Sequence, residues 1–102
     1  MSAGSFYDYT MGHARLAVLR TLVEAPEHSA NDSLLYMELQ RLGLPVTRDQ
    51  LRTQLGWLEE QGLIRIGRPT DSLLVAQLRE RGADVAVGRA AMDGVQRPSP
   101  GR

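Results

Sequence analysis

The feature that most constrains this chain is a change of period at Gly62. Thr47-Arg48-Asp49-Gln50 places a hydroxyl three residues before a glutamine, the spacing of a capping box, and Val46 before it can staple onto Leu51. Leu51, Leu55 and Leu58 follow at four- and three-residue steps, so a helix runs over 47–61 and stops where Gly62 can adopt the left-handed conformation. Beyond it the period falls to two. Ile64 and Ile66 alternate about Arg65, Gly67 to Asp71 supplies turn chemistry, and Leu73 to Ala76 reads as a second strand. A capped amphipathic helix running straight into a short hairpin predicts a mainly α fold with a small β-hairpin, of the α+β class.

The flanking segments fill in that outline. Thr10 is a plausible N-cap for a first helix carrying Leu16, Leu19, Leu22 and Val23 and ending near Ala25-Pro26. A polar connection over 27–30 leads to Asn31 or Asp32 as cap of a second helix with Leu34, Leu35, Leu39 and Leu42, closed by Gly43. Glu38 falls inside the arc of those leucines, so it must reach past them or pair with an arginine. Leu44-Pro45 makes the turn to the third helix short. Glu80 to Met92 reads as an alanine-rich last helix with Ala83, Ala86, Val87 and Ala90 on one face. With 102 residues a single domain is expected over 10–92, preceded by an aperiodic arm over 1–9 and followed by a flexible tail over 93–102.

Several chemistries are excluded by what is missing. The chain has no cysteine, so it holds neither a disulfide framework nor a thiolate site, and His13 and His28 stand 15 residues apart without zinc-ligand spacing. A metal site is not expected, and neither is a cofactor. No glycine-rich phosphate loop and no nucleophile elbow is present, and Glu59-Glu60 reads as a solvated helix face, so an enzyme is not expected. Met11, Met37 and Met92 read as core or interface filler. No apolar run approaches the roughly 20 residues of a membrane span, and the N-terminus lacks the order of a signal peptide. The expectation is a cytoplasmic protein that makes no contact with membrane.

Charge points toward an anionic partner, and then partly away from one. The formal net charge is zero, from 12 basic and 12 acidic residues, and every basic residue is arginine. Residues 1–40 hold two arginines against five acids, whereas 41–68 hold five against three. The basic excess therefore lies from Arg41 onward.

Helix, helix, short turn, helix, hairpin, helix is the order of a winged helix-turn-helix domain. The run from Thr47 to Ile64, ending Leu58-Glu59-Glu60-Gln61-Gly62-Leu63-Ile64, resembles the third helix and following strand of MarR- and ArsR-type families. Leu78-Arg79-Glu80-Arg81-Gly82-Ala83-Asp84-Val85-Ala86 resembles the start of their last helix, with Arg79 where threonine is usual. The chain as a whole, including Gly88-Arg89 and Arg97-Pro98-Ser99-Pro100, resembles small winged-helix proteins of Mu-like phages and prophages. That resemblance implies a transcription regulator that binds double-stranded DNA, commonly as a homodimer. Thr47, Arg48, Gln50, Arg52, Thr53 and Gln54 would then face the major groove, and Arg65 and Arg68 would serve the wing.

Helical projection qualifies this picture. With Leu51 inward, the outward centre of the third helix falls on Asp49, Thr53, Gly56 and Glu60, flanked by Arg52 and Trp57, and two acids on that line oppose a polyanion. The other expectation is a protein-protein interaction module without direct DNA binding. Candidate interface residues are Trp57, Tyr7 and Tyr9, with Ala83, Ala86 and Ala90 on the last helix. Trp57 can equally lie across the edge of the core and cover the hairpin.

Overall fold

A computed structural model describes residues 3–99. Its element order is α1 (Ala3–Glu24), a 3-10 turn (Pro26–His28), β1 (Ser29–Asn31), α2 (Asp32–Arg41), α3 (Arg48–Glu60), β2 (Ile64–Thr70), β3 (Leu73–Leu78) and α4 (Glu80–Ala86). The chain is α+β. Three antiparallel strands form one sheet in the order β1-β3-β2, so the first strand pairs with the last and not with its neighbour in sequence.

Both α2 and α3 are closed by the same device. The Gly43 amide donates to Gln40 and the Leu44 amide to Leu39, just as Gly62 donates to Glu59 and Leu63 to Leu58. Each glycine sits at φ +78, and each following leucine folds back over the helix end, the pattern of a Schellman motif. At the other end of α3, the Thr47 hydroxyl accepts from the Gln50 amide and the Gln50 carbonyl Oε1 accepts from the Thr47 amide, both at 3.0 Å. The expected capping box is present. Asn31 caps α2 by accepting from the Leu34 amide at 2.8 Å.

Between the helices and the sheet lies one core. Leu19, Leu22, Leu35, Leu39, Leu51, Leu55, Leu58, Leu63 and Ile64 are all essentially inaccessible to solvent. α1 supplies Met11, Ala14, Val18, Leu19 and Leu22 to it, a stripe of three- and four-residue steps. Burying a leucine of this kind stabilises the fold by about 2 kcal/mol.

Four expectations need correction. Thr10 is not a cap: α1 runs through it from Ala3, and the Thr10 hydroxyl donates back to the Phe6 carbonyl at 2.9 Å, so the expected arm is helical from residue 3 onward. Ser29 to Asn31 is a strand, where a polar connection was expected, because its partner β3 lies 44 to 48 positions away, from Asn31↔Val75 to Ser29↔Gln77. α4 stops at Ala86, six residues short of Met92, since Gly88 at φ +85 ends it and the Arg89 amide turns back to Asp84. The start of the tail is docked: Val95 is buried and the Gln96 amide donates to the Gly12 carbonyl at 3.1 Å. Residues 1–2 of the arm and 100–102 of the tail lie outside the described residues.

Candidate functional site

The residues expected to read DNA fall into three groups. Thr47 and Gln50 are spent on each other in the cap of α3. Gln54 is buried and accepts from Arg15 Nε at 2.7 Å, so it leaves the candidate set. Arg48, Thr53, Arg65 and Arg68 stand at the surface, and Arg52 is half-exposed.

These arginines differ in what holds them. Arg48 lies over the Tyr36 ring at 4.5 Å and donates to the Ser33 hydroxyl at 3.3 Å, which aims it along the outer edge between α2 and α3. Arg65 and Arg68, on β2, make no ion pair and no side-chain hydrogen bond among the described residues. Arg52 is held firmly: Nε and Nη2 both donate to Asp32 Oδ2, at 2.9 and 2.7 Å, and Nη2 also donates to the Ser72 carbonyl. Asp32 itself is buried at the first turn of α2, where a carboxylate also meets the positive end of the helix dipole.

Acids share this face. Asp49, Thr53 and Glu60 are exposed as the projection requires, and Asp71 is exposed at the hairpin tip. Glu59 has a different task that its sequence position did not reveal: Oε2 accepts from the Ile66 amide at 2.8 Å and binds β2 to α3. Glu38 reaches out of the leucine arc to Arg41, with Oε1 and Oε2 accepting at 2.9 and 2.6 Å. Those hydrogen bonds hold the Glu38 carboxyl below the ordinary glutamate range and raise Arg41, against a smaller desolvation effect on each.

The far side of α3 is built around Arg15. Its guanidinium lies 4.0 Å over the Trp57 ring, Nε donates to Gln54, and Nη1 donates to the Gly94 carbonyl at 2.8 Å. Burial pushes its pKa below the ordinary arginine value, with Tyr7 and Asp8 nearby opposing the shift. The group remains a cation at neutral pH. Arg15 was visible in the sequence as a charge inside the arc Met11, Val18, Leu19, Leu22, and that position calls for a partner. Trp57 packs at the edge of the core and against the docked tail; a Cβ on Gly94 would lie 2.9 Å from its Cζ2.

Of the other interface candidates, Tyr7 and Tyr9 are exposed on the first turns of α1, Tyr9 with its ring edge-on to His13 at 4.6 Å between centroids. Ala86 is buried in the core, while Ala83 and Ala90 are half-buried. Leu34, Leu42 and Val87 are exposed along an open groove floored by Leu16 and Ala17 of α1, and Met37 is exposed on α2. Among the described residues no group of three or more His, Asp or Glu side chains could hold a metal ion, and no helix is long and apolar enough to cross a membrane.

The geometry defines a small α+β chain with an arginine-bearing hairpin beside a capped helix. By sequence it is 42% identical over 86 residues to the uncharacterized protein gp26 of Escherichia phage Mu, an alignment that spans 84% of this chain and 88% of that one. It belongs to the family of that phage protein. An uncharacterized protein of Haemophilus influenzae is 43% identical over 77 residues, covering 76% of this chain and 74% of its own. No family model and no solved structure matches the chain.

Proposed function

We propose that this chain is a winged helix-turn-helix protein that binds double-stranded DNA and acts as a transcription regulator of phage type. The observation that carries the reading is the sequence of α2, a short turn and α3 followed directly by a hairpin whose Arg65 and Arg68 have no acid partner among the described residues. In the order β1-β3-β2 the hairpin is the wing, and Arg48 at the start of α3 adds a third cation to the same function. The regulatory role rests on the likeness to MarR- and ArsR-type sequences.

Three arginines per protomer make a modest electrostatic footprint. Each phosphate neutralised contributes a slope of about −0.9 to the dependence of log affinity on log salt, so about −3 is expected for one protomer and about −5 for a dimer. A homodimer is therefore part of the proposal, since two footprints are needed for tight binding by so neutral a chain. The test is an anisotropy titration with duplex DNA from upstream of the encoding operon at several salt concentrations. Binding that weakens steeply with salt supports the reading; no binding at micromolar protein, or binding indifferent to salt, overturns it.

A second reading has its own observation. Leu34, Met37, Leu42 and Val87 expose apolar surface away from the hairpin, which suits a protein-protein interaction module with no direct DNA contact. On that reading, polar substitution of Leu34 and Leu42 abolishes function while Arg65→Ala and Arg68→Ala leave it intact.

A further inference from the structure

Arg52 stands where a base-reading arginine would stand, yet its described hydrogen bonds all go to other parts of the chain. Three elements meet at its guanidinium. Arg52 itself comes from α3, Asp32 from the first turn of α2, and the Ser72 carbonyl from the turn that closes β2 onto β3. Asp32 is almost wholly buried, and a buried carboxylate is stable only when paired, so the pair is a fixed feature of the fold and not a passing surface contact. Arginine's planar fork lets one side chain serve a carboxylate and a carbonyl at once.

The hairpin needs such a hold. β2 is exposed from Gly67 to Thr70, its register with β3 is broken between Gly67 and Thr70, and nothing in that stretch enters the core. Its root is fastened by Glu59 accepting from the Ile66 amide. Its tip is fastened through Ser72 by Arg52. A two-stranded ribbon without such anchors is free to bend as a unit.

We infer that Arg52 is a positioning residue: clamped by Asp32, it fixes the hairpin tip relative to α2 and α3 and so presents Arg65 and Arg68 at a set distance from Arg48. The inference rests on the DNA-binding reading for its purpose, though not for its geometry. It makes an unusual demand. Asp32→Asn raises the net charge by one, which strengthens a purely electrostatic contact with DNA; through the clamp it weakens binding instead.

Hydrogen exchange and DNA titration on the full chain test the two parts separately. In Asp32→Asn, Arg52→Gln and the charge-preserving Arg52→Lys, amides of residues 70–73 should exchange several-fold faster than in the parent. Those of β3 that pair with β1 should not change. Unchanged exchange at the tip in all three variants overturns the clamp, whether or not DNA binds. In the titration, Asp32→Asn and Arg52→Lys should bind several-fold more weakly with the salt slope of the parent. Tighter binding by Asp32→Asn, or a slope lowered by about one in Arg52→Gln, as for a lost phosphate contact, overturns the positioning role. Failure of the parent to bind DNA removes the functional reading and leaves the exchange result to decide the clamp.

Discussion

Two arginine sites flank α3, and they are opposites. On one side Arg15 is half-buried, stacked on Trp57 and hydrogen-bonded to both Gln54 and the Gly94 carbonyl, so it joins α1, α3 and the C-terminal segment. On the other side Arg65 and Arg68 stand in solvent without an acid partner among the described residues. Burying a guanidinium is unfavourable unless its donors are met, so the first site is an integral part of folding. The second contributes nothing evident to the fold, and a cation kept at the surface without a structural task is available for a ligand.

The contrast breaks most visibly on the Arg15 side. Trp57→Ala removes a half-buried indole, the seat of Arg15 and the wall against Gly94, and should cost about 2–3 kcal/mol, read as a fall in the midpoint of chemical denaturation. Gly94→Ala should cost about 1–2 kcal/mol for a different reason: φ +95 strains any L side chain, and the added Cβ meets Trp57. Trp57 is the chain's one tryptophan, so a changed emission spectrum of folded Gly94→Ala reports the undocked segment directly. A variant with parent stability and spectrum would mean that the docking of 93–99 is incidental.

On the opposite side the expected stability effect is small. Arg65→Ala and Arg68→Ala should change the unfolding free energy by no more than about 0.5 kcal/mol, as for surface residues without partners. On the proposed DNA-binding function, each should nevertheless lower the salt slope of binding by about one. Loss of stability in either variant would show that the arginine serves the fold after all, and the comparison would collapse.

How far the sequence revealed this arrangement depends on the range of the interactions involved. The limits of α3 were legible because its signals are local: Thr47 and Gln50 lie three residues apart, and Gly62 needs only its own backbone. Gly88 carried the same stop signal for α4, but the alanine spacing beyond it masked it. β1 was illegible for the converse reason, since three residues become a strand only by pairing with β3. Among the candidate site residues, Arg65 could be placed at the surface because alternation about Ile64 and Ile66 sets its side, whereas Arg68, expected in a turn over 67–71, is exposed on β2, which runs on to Thr70. The pairings of Gln54 and Arg52 were not legible because their partners, Arg15 and Asp32, lie 39 and 20 positions away and no period records such pairings.

The Glu38–Arg41 pair marks the weak end of the comparison, a cation with a partner but no burial of its own. Arg41 donates twice to a carboxylate three residues earlier on the same helix, and this lowers the Glu38 pKa. A carboxyl whose folded-state pKa is depressed contributes stability that is fully present above its unfolded-state pKa and fades as pH falls through the lowered value. The contribution should be small, because an exposed pair in solvent gains little and salt screens it. A carboxyl titration followed by NMR should place the Glu38 midpoint below the ordinary glutamate value and return it there in Arg41→Ala, with thermal stability at neutral pH scarcely moved. A midpoint unaffected by Arg41→Ala would show that the pair is not populated in solution. It would also mean that an arginine's geometry on an exposed helix does not by itself earn the status that burial confers on Arg15.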